Sequence, residues 1–191
     1  MQAMRVLGFI LIIFTQTFAL SAFADSGNAS EDSEWRLDNL FLQLQKSSAE
    51  EYHEFEREII DIWNHSGSPA MDLLLKRGQV AMAVQNFPKA IEHLSALIDH
   101  APEFAEGWNA RATVYYLTNQ YALSIADIRQ TLMLNPRHFG ALSGLGLILE
   151  DIGNIKGAFK AYNMASEIHP HLQNVNEALI LLGPDIDGVE L

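Results

Sequence analysis

The stretch LNPRHFGALSGLG, residues 134–146, places glycines at 140, 144 and 146 just after Pro136, Arg137 and His138. Glycines beside cations can cradle a phosphate, because backbone N–H groups then approach the anion with no Cβ in the way. That chemistry also needs a preceding strand and a Lys-Ser/Thr end to the loop, and neither is present around these glycines. The next candidates are the histidines at 53, 65, 93, 100, 138, 169 and 171, of which His169-Pro170-His171 is the tightest group. A metal site there would need two or three further ligands and an outer layer of hydrogen-bond partners. No helical i, i+4 pair and no HExxH supplies them, so these histidines read as surface or capping residues. The neighbouring acids Glu50-Glu51 and Glu150-Asp151 read as solvated helix faces. The chain has no cysteine, which removes disulfides, thiolate metal sites and thiol nucleophiles. No catalytic residue, metal or cofactor is therefore expected.

The elements that carry these residues follow from a period. Pro102, Pro136 and Pro170 are spaced by 34 residues, and a fixed period of this length points to a stack of repeated supersecondary units. Three windows align at 71–104, 105–138 and 139–172. Counting each from one, the fourth place holds Leu74, Trp108 and Leu142, and the eighth holds Gly78, Ala112 and Gly146. The eleventh holds Ala81, Tyr115 and Leu149, and the twentieth Ala90, Ser124 and Ala158. The twenty-fourth holds Leu94, Ile128 and Tyr162, and the twenty-seventh Leu97, Thr131 and Ala165. Within each window two apolar stripes run at the helical spacing. Between them lie Gln85-Asn86, Asn119-Gln120 and Gly153-Asn154, residues that tolerate left-handed backbone at the end of one helix and can cap the next. The closing proline ends the second helix. Small residues at places eight and twenty let the two helices approach, and one such pair cannot bury its faces alone, so the pairs must stack. On this reading Gly146 is the small eighth-place residue, and Gly140 and Gly144 lie on the same helix.

The windows resemble the tetratricopeptide repeat, over 102 residues in three tandem copies, in the order large, small, aromatic, small, aromatic, small, proline at these places. Arg77 and Arg111 depart from the usual leucine at the seventh place, and Thr131 from the usual alanine. The resemblance implies an all-α, right-handed α-solenoid of three helical hairpins.

The flanks are acidic. Residues 25–65 carry 11 acids against Arg36, Lys46 and Arg57, whereas residues 71–172 carry 9 acids and 8 cations. A net charge of −12 without a basic face disfavours nucleic acid. Residues 1–24 place Arg5 before an apolar run and end in an A-x-A arrangement at Ala22–Ala24, the layout of a signal peptide cleaved near Ala24. An exported, periplasmic protein is expected, with an uncleaved membrane anchor as the alternative. Residues 25–34 are polar and expected to be a disordered linker. Residues 35–66 read as a helical hairpin, with Leu37, Leu40, Phe41 and Leu44 on one face and Phe55, Ile59, Ile60 and Trp63 on the other, and Ser48 and Glu51 forming a capping box. It is expected to be a degenerate repeat that covers the N-terminal face of the stack. Residues 173–183 read as a capping helix stopped by Gly183-Pro184, followed by an acidic tail over 184–191. The run from 37 onward looks like exported tetratricopeptide proteins of alphaproteobacteria.

The resemblance implies a partner-binding groove lined by the first helix of each repeat. Its places fall on Asp72, Leu75, Gln79, Met82 and Ala83, on Glu106, Asn109, Thr113, Tyr116 and Leu117, and on Gly140, Ser143, Leu147, Glu150 and Asp151. Tyr116 is the expected aromatic anchor. These places hold four acids and no cation, and the two-lysine clamp that some relatives use for a carboxylate terminus is absent. A non-enzymatic scaffold is expected that takes a protein or peptide segment with basic and apolar side chains. The alternatives are a tethered assembly factor, and an enzyme or small-ligand carrier using the same face.

Overall fold

The computed structural model describes residues 34–187. The signal peptide and most of the linker expected from the sequence lie outside the described residues. The chain divides after Asn39, and Leu40 onward forms the larger compact unit.

The described elements are all helices: α1, described over residues 34–46, α2 (Tyr52–Trp63), α3 (Pro69–Ala83), α4 (Phe87–His100), α5 (Ala105–Leu117), α6 (Tyr121–Leu134), α7 (Phe139–Asp151), α8 (Ile155–Ile168) and α9 (Gln173–Asp187). The pairs α3/α4, α5/α6 and α7/α8 are the three repeats. From α3 to α9 each helix packs on its chain neighbour, and the first helices also meet one another in sequence, α3 with α5 and α5 with α7.

The turn inside each repeat is built as its residues dictate. Gln85, Asn119 and Gly153 take left-handed backbone with φ of 59°, 57° and 78°. The following residue then caps the second helix: Asn86 accepts from the Lys89 N–H and Asn154 from the Gly157 N–H, while Gln120 makes no side-chain cap. Close approach of the paired helices explains the eighth place. A Cβ on Gly78 would lie 2.5 Å from Leu94 Cγ, and one on Gly146 would lie 2.4 Å from Tyr162 Cε1.

The core is distributed over the joints between repeats. Leu75, Ala81, Ala90, Leu94 and Leu97 of the first repeat pack with Ala110 and Val114 of the second. Ala112 and Ile128 pack with Ala141 and Ile148 of the third. Leu142, Ala158, Tyr162 and Ala165 pack with Val175 and Leu182 of α9. Full burial of one such leucine stabilises by about 2 kcal/mol, and here it requires two neighbouring repeats.

Departures from the repeat pattern are compensated locally. Arg111, at a place usually held by leucine, makes a bidentate pair with Asp127 at 2.7 and 2.9 Å and donates to Ser95 Oγ of the preceding repeat at 3.0 Å. The bond to Asp127 raises the Arg111 pKa further, against the opposing effect of burial. Thr131 is fully buried and returns its hydroxyl to the Asp127 carbonyl at 3.0 Å. Ser124 Oγ donates to the Ala112 carbonyl at 2.8 Å, tying α6 to α5.

Two expectations are corrected. The C-terminal helix does not stop at Gly183-Pro184 but continues to Asp187. Proline removes the N–H that would bond the Ile180 carbonyl, so the helix gives up one internal hydrogen bond and runs on. The second correction concerns the N-terminal hairpin. Its contacts run along the third repeat and the turn that closes it, not over the outer face of α3. Trp63 stacks on His138 at 4.4 Å and packs on Phe139, while Tyr52 stacks on His171 at 4.7 Å. Gln45 donates to the Glu167 carbonyl, and the Arg137 guanidinium lies over Phe41. The hairpin's own turn forms half of the expected box: the Glu51 carboxylate accepts from the Ser48 N–H and Oγ, and Ser48 Oγ caps no backbone N–H.

Candidate protein-binding surface

The face lined by α3, α5 and α7 is divided in two by the hairpin. One part, at the N-terminal ends of α5 and α7 and along α3 as far as Gln79, is already engaged. His138 caps α7, its Nδ1 accepting from the Ala141 N–H, so Nε2 carries the hydrogen that it donates to Glu106 at 3.0 Å. Trp63 covers that imidazole. His169 is fully buried and arranged in the same way, Nδ1 accepting from the His171 N–H and Nε2 facing Glu56 of α2 at 3.2 Å. Burial drives the His169 pKa below its ordinary value, against the opposing pull of Glu56. At the other end of α2, Gln79 donates to Asn64 and Asp72 accepts from the N–H and Oγ of Ser66. Burial opposes ionisation of Asp72, but the two Ser66 donors and His65 outweigh it and hold its pKa below the usual value.

The other half lies toward the C-terminal ends of the same helices and is open. Leu117 and Leu147 are 48% and 38% exposed, and Thr113, Glu150 and Asp151 are exposed. A ring of tyrosines backs this half. Tyr162 donates to Glu150 at 2.9 Å, Tyr121 donates to Asp151 at 3.1 Å, and Tyr116 stacks on Tyr121. Burial, and then the bond to Glu150, push the Tyr162 hydroxyl well above its usual pKa. Burial and then Asp151 raise Tyr116, and the bond to Asp151 raises Tyr121. All three phenols therefore stay protonated donors at neutral pH.

The groove residues read from the sequence separate accordingly. Leu75 is 2% exposed inside the core, and Ser143 is buried with its hydroxyl returned to the Phe139 carbonyl; neither can touch a partner, because the first helices rotate these places into the joints. Met82 is half-buried against the first core cluster. Asn109 donates to Glu106, and Thr113 donates to the Asn109 carbonyl. Tyr116 is packed with Tyr121, Ile125 and Ala112 and is no free anchor. Leu147 and Glu150 do present themselves outward, and Leu117 joins them. The engaged half was missed: Tyr52, Glu56, Trp63, His138 and His169. One signal for it exists. The last place of the windows reads Phe104, His138 and Leu172, so a histidine there breaks an apolar column and calls for a partner.

The comparisons with known proteins agree with this architecture. The family profile described as "Tetratricopeptide repeat" matches residues 75–132 and 118–172. A TPR repeat-containing protein of Rhizobium etli is 34% identical, the match covering 98% of this chain and 94% of that protein. The chain belongs to the tetratricopeptide repeat family. The heat-shock cognate co-chaperone sgt12 of Aspergillus fumigatus is 30% identical over 52% of this chain and 29% of its own length. Among solved structures, the Sgt2 TPR domain from Aspergillus fumigatus superposes with a TM-score of 0.59 at 26% identity, over 63% of this chain and 81% of that domain. The first TPR of Spaghetti (RPAP3), solved bound to the HSP90 peptide SRMEEVD, gives 0.60 at 19% identity, over 63% and 95%. The tetratricopeptide fold is a protein-interaction module, and the stacked hairpins of this chain are of that kind.

Proposed function

We propose that this chain is an exported, non-catalytic scaffold that holds an extended or helical protein segment on the open half of the face formed by α5 and α7. The observation that carries the reading is the pairing of exposed Leu117 and Leu147 with the carboxylates of Glu150 and Asp151. Apolar contact supplies affinity there, and the uncompensated negative charge selects the partner. The side chains that bond Glu150 and Asp151 are tyrosine hydroxyls, which bring no positive charge to this half. A segment with lysine or arginine beside apolar residues fits this surface, whereas an acidic peptide like the one bound by the RPAP3 domain meets four carboxylates and no clamp cation at the corresponding helix places. The leader-like first 24 residues support an envelope location, with Asp25 as the expected N-terminus of the exported product.

The test is fluorescence anisotropy with labelled peptides that share an apolar pattern but differ in charge. Lysine-bearing peptides are expected to bind the purified chain, acidic ones not to, and Leu147→Glu to weaken binding about tenfold, equivalent to about 1.4 kcal/mol. Equal binding of both peptide sets would refute the charge selection, and full affinity of Leu147→Glu would move the site elsewhere.

A further inference from the structure

Because the hairpin packs along the third repeat, the outer face of α3 is left uncovered, and its register shows what such a face is built to meet. Places three and ten of a first helix face the preceding repeat. A Cβ on Gly107, at place three of α5, would lie 3.1 Å from Leu97 and 3.5 Å from Ile98 of α4. Ala141 and Ile148 of α7, and Val175 and Leu182 of α9, occupy the same places and are buried. On α3 these places hold Leu73 and Val80, 48% and 56% exposed, and Val84 extends the stripe at 70% exposed. Lys76 and Arg77, both exposed, lie along it. The result is an apolar, basic helix face on an acidic protein.

The other end of the series is its complement. Ile180 sits at the eighth place of α9, where Gly78, Ala112 and Gly146 each receive a second helix, and it is 75% exposed with Leu181 beside it at 74%. Glu177, one turn earlier, is exposed on the same side. From residue 173 onward the sequence has four acids and no lysine or arginine.

We propose that the outer face of α3 receives α9 of a second copy of this chain, head to tail. Charge decides the orientation. Two α3 faces brought together would oppose Lys76 and Arg77 of both copies, and two α9 faces would oppose their Glu177 carboxylates, whereas α3 against α9 sets Lys76 and Arg77 near Glu177 beside an apolar stripe. A heterologous contact of this kind does not close on a two-fold axis, so it adds copies in series.

Sedimentation of the purified chain across a concentration range, with Val80→Asp and Leu181→Asp, tests this. Both positions are more than half exposed, so both variants are expected to keep the helical spectrum and unfolding midpoint of the parent. The parent is expected to associate with rising concentration, each variant alone to stay monomeric, and their equimolar mixture to form a dimer, since each supplies the end that the other has lost. Arg77→Glu is expected to weaken parent association about tenfold or more. A monomeric parent at every concentration would overturn the proposal. So would a parent that associates while Leu181→Asp does too, which would mark a symmetric α3 contact, or a mixture of the variants that stays monomeric.

Discussion

Gly144 and Gly146 stand two residues apart on α7 and answer to different constraints. A Cβ at 146 would collide with the Tyr162 ring at 2.4 Å, and one at 144 would sit 3.8 Å from Ile128 Cδ1, an ordinary contact. Gly146→Ala is therefore expected to destabilise by about 1–3 kcal/mol through overpacking, and Gly144→Ala to stabilise by about 0.5–1 kcal/mol by restricting the unfolded backbone. Denaturant midpoints of the two variants should move in opposite directions, and a common direction would dismiss the packing account of this stretch. His169 carries a pH signature. Its pKa is lowered on folding, so the unfolded chain takes up a proton near pH 6.5 that the folded chain resists. Its contribution is complete above that pH and is lost as the pH falls toward the folded value. Thermal unfolding is expected to occur at lower temperature as the pH drops from about 7.5 to about 5.5, and the gap between the parent and His169→Gln should narrow over the same window. A gap that widens on acidification would show that His169 is stabilised in its charged form by Glu56.

At the scale of elements, the helices within the period were legible and the flanking ones were legible only as helices. The 34-residue spacing fixes where each repeat turns, because the left-handed residue recurs at Gln85, Asn119 and Gly153 and an asparagine cap follows it in the first and third repeats. Of these left-handed positions only Gly153 is free of Cβ strain. Gln85→Gly is accordingly expected to stabilise by up to about 1 kcal/mol, read as a higher urea midpoint; a lower one would mean that the turn draws on the glutamine side chain. The hairpin α1–α2 shows where the sequence stops speaking. An apolar stripe on α2 specifies that a face is buried but not against which surface, and the contacts of Trp63 and Tyr52 with His138 and His171 join residues too far apart in the chain for any local period to reveal. The continuation of α9 past Pro184 was hidden for the opposite reason: the local breaker was visible, and a proline costs one helical hydrogen bond without by itself ending the helix.

At the scale of the molecule, three stacked hairpins present one broad face, and the hairpin before them occupies its engaged half. The period identified that face. It did not distinguish its open residues, Leu117, Leu147 and Glu150, from Leu75 and Ser143, which stand at the fifth place of their repeats and rotate into the joints. The central claim is that the open half is where a partner is held. Site-specific photo-crosslinking in the cells that make this protein tests it most directly, with the photoreactive residue placed singly at Leu117, at Leu147 and, as a control, at Ala126 on the exposed side of α6. The expected result is one and the same protein adduct from 117 and 147 and none from 126. Adducts from 126 alone would place the partner on the second helices and contradict the account.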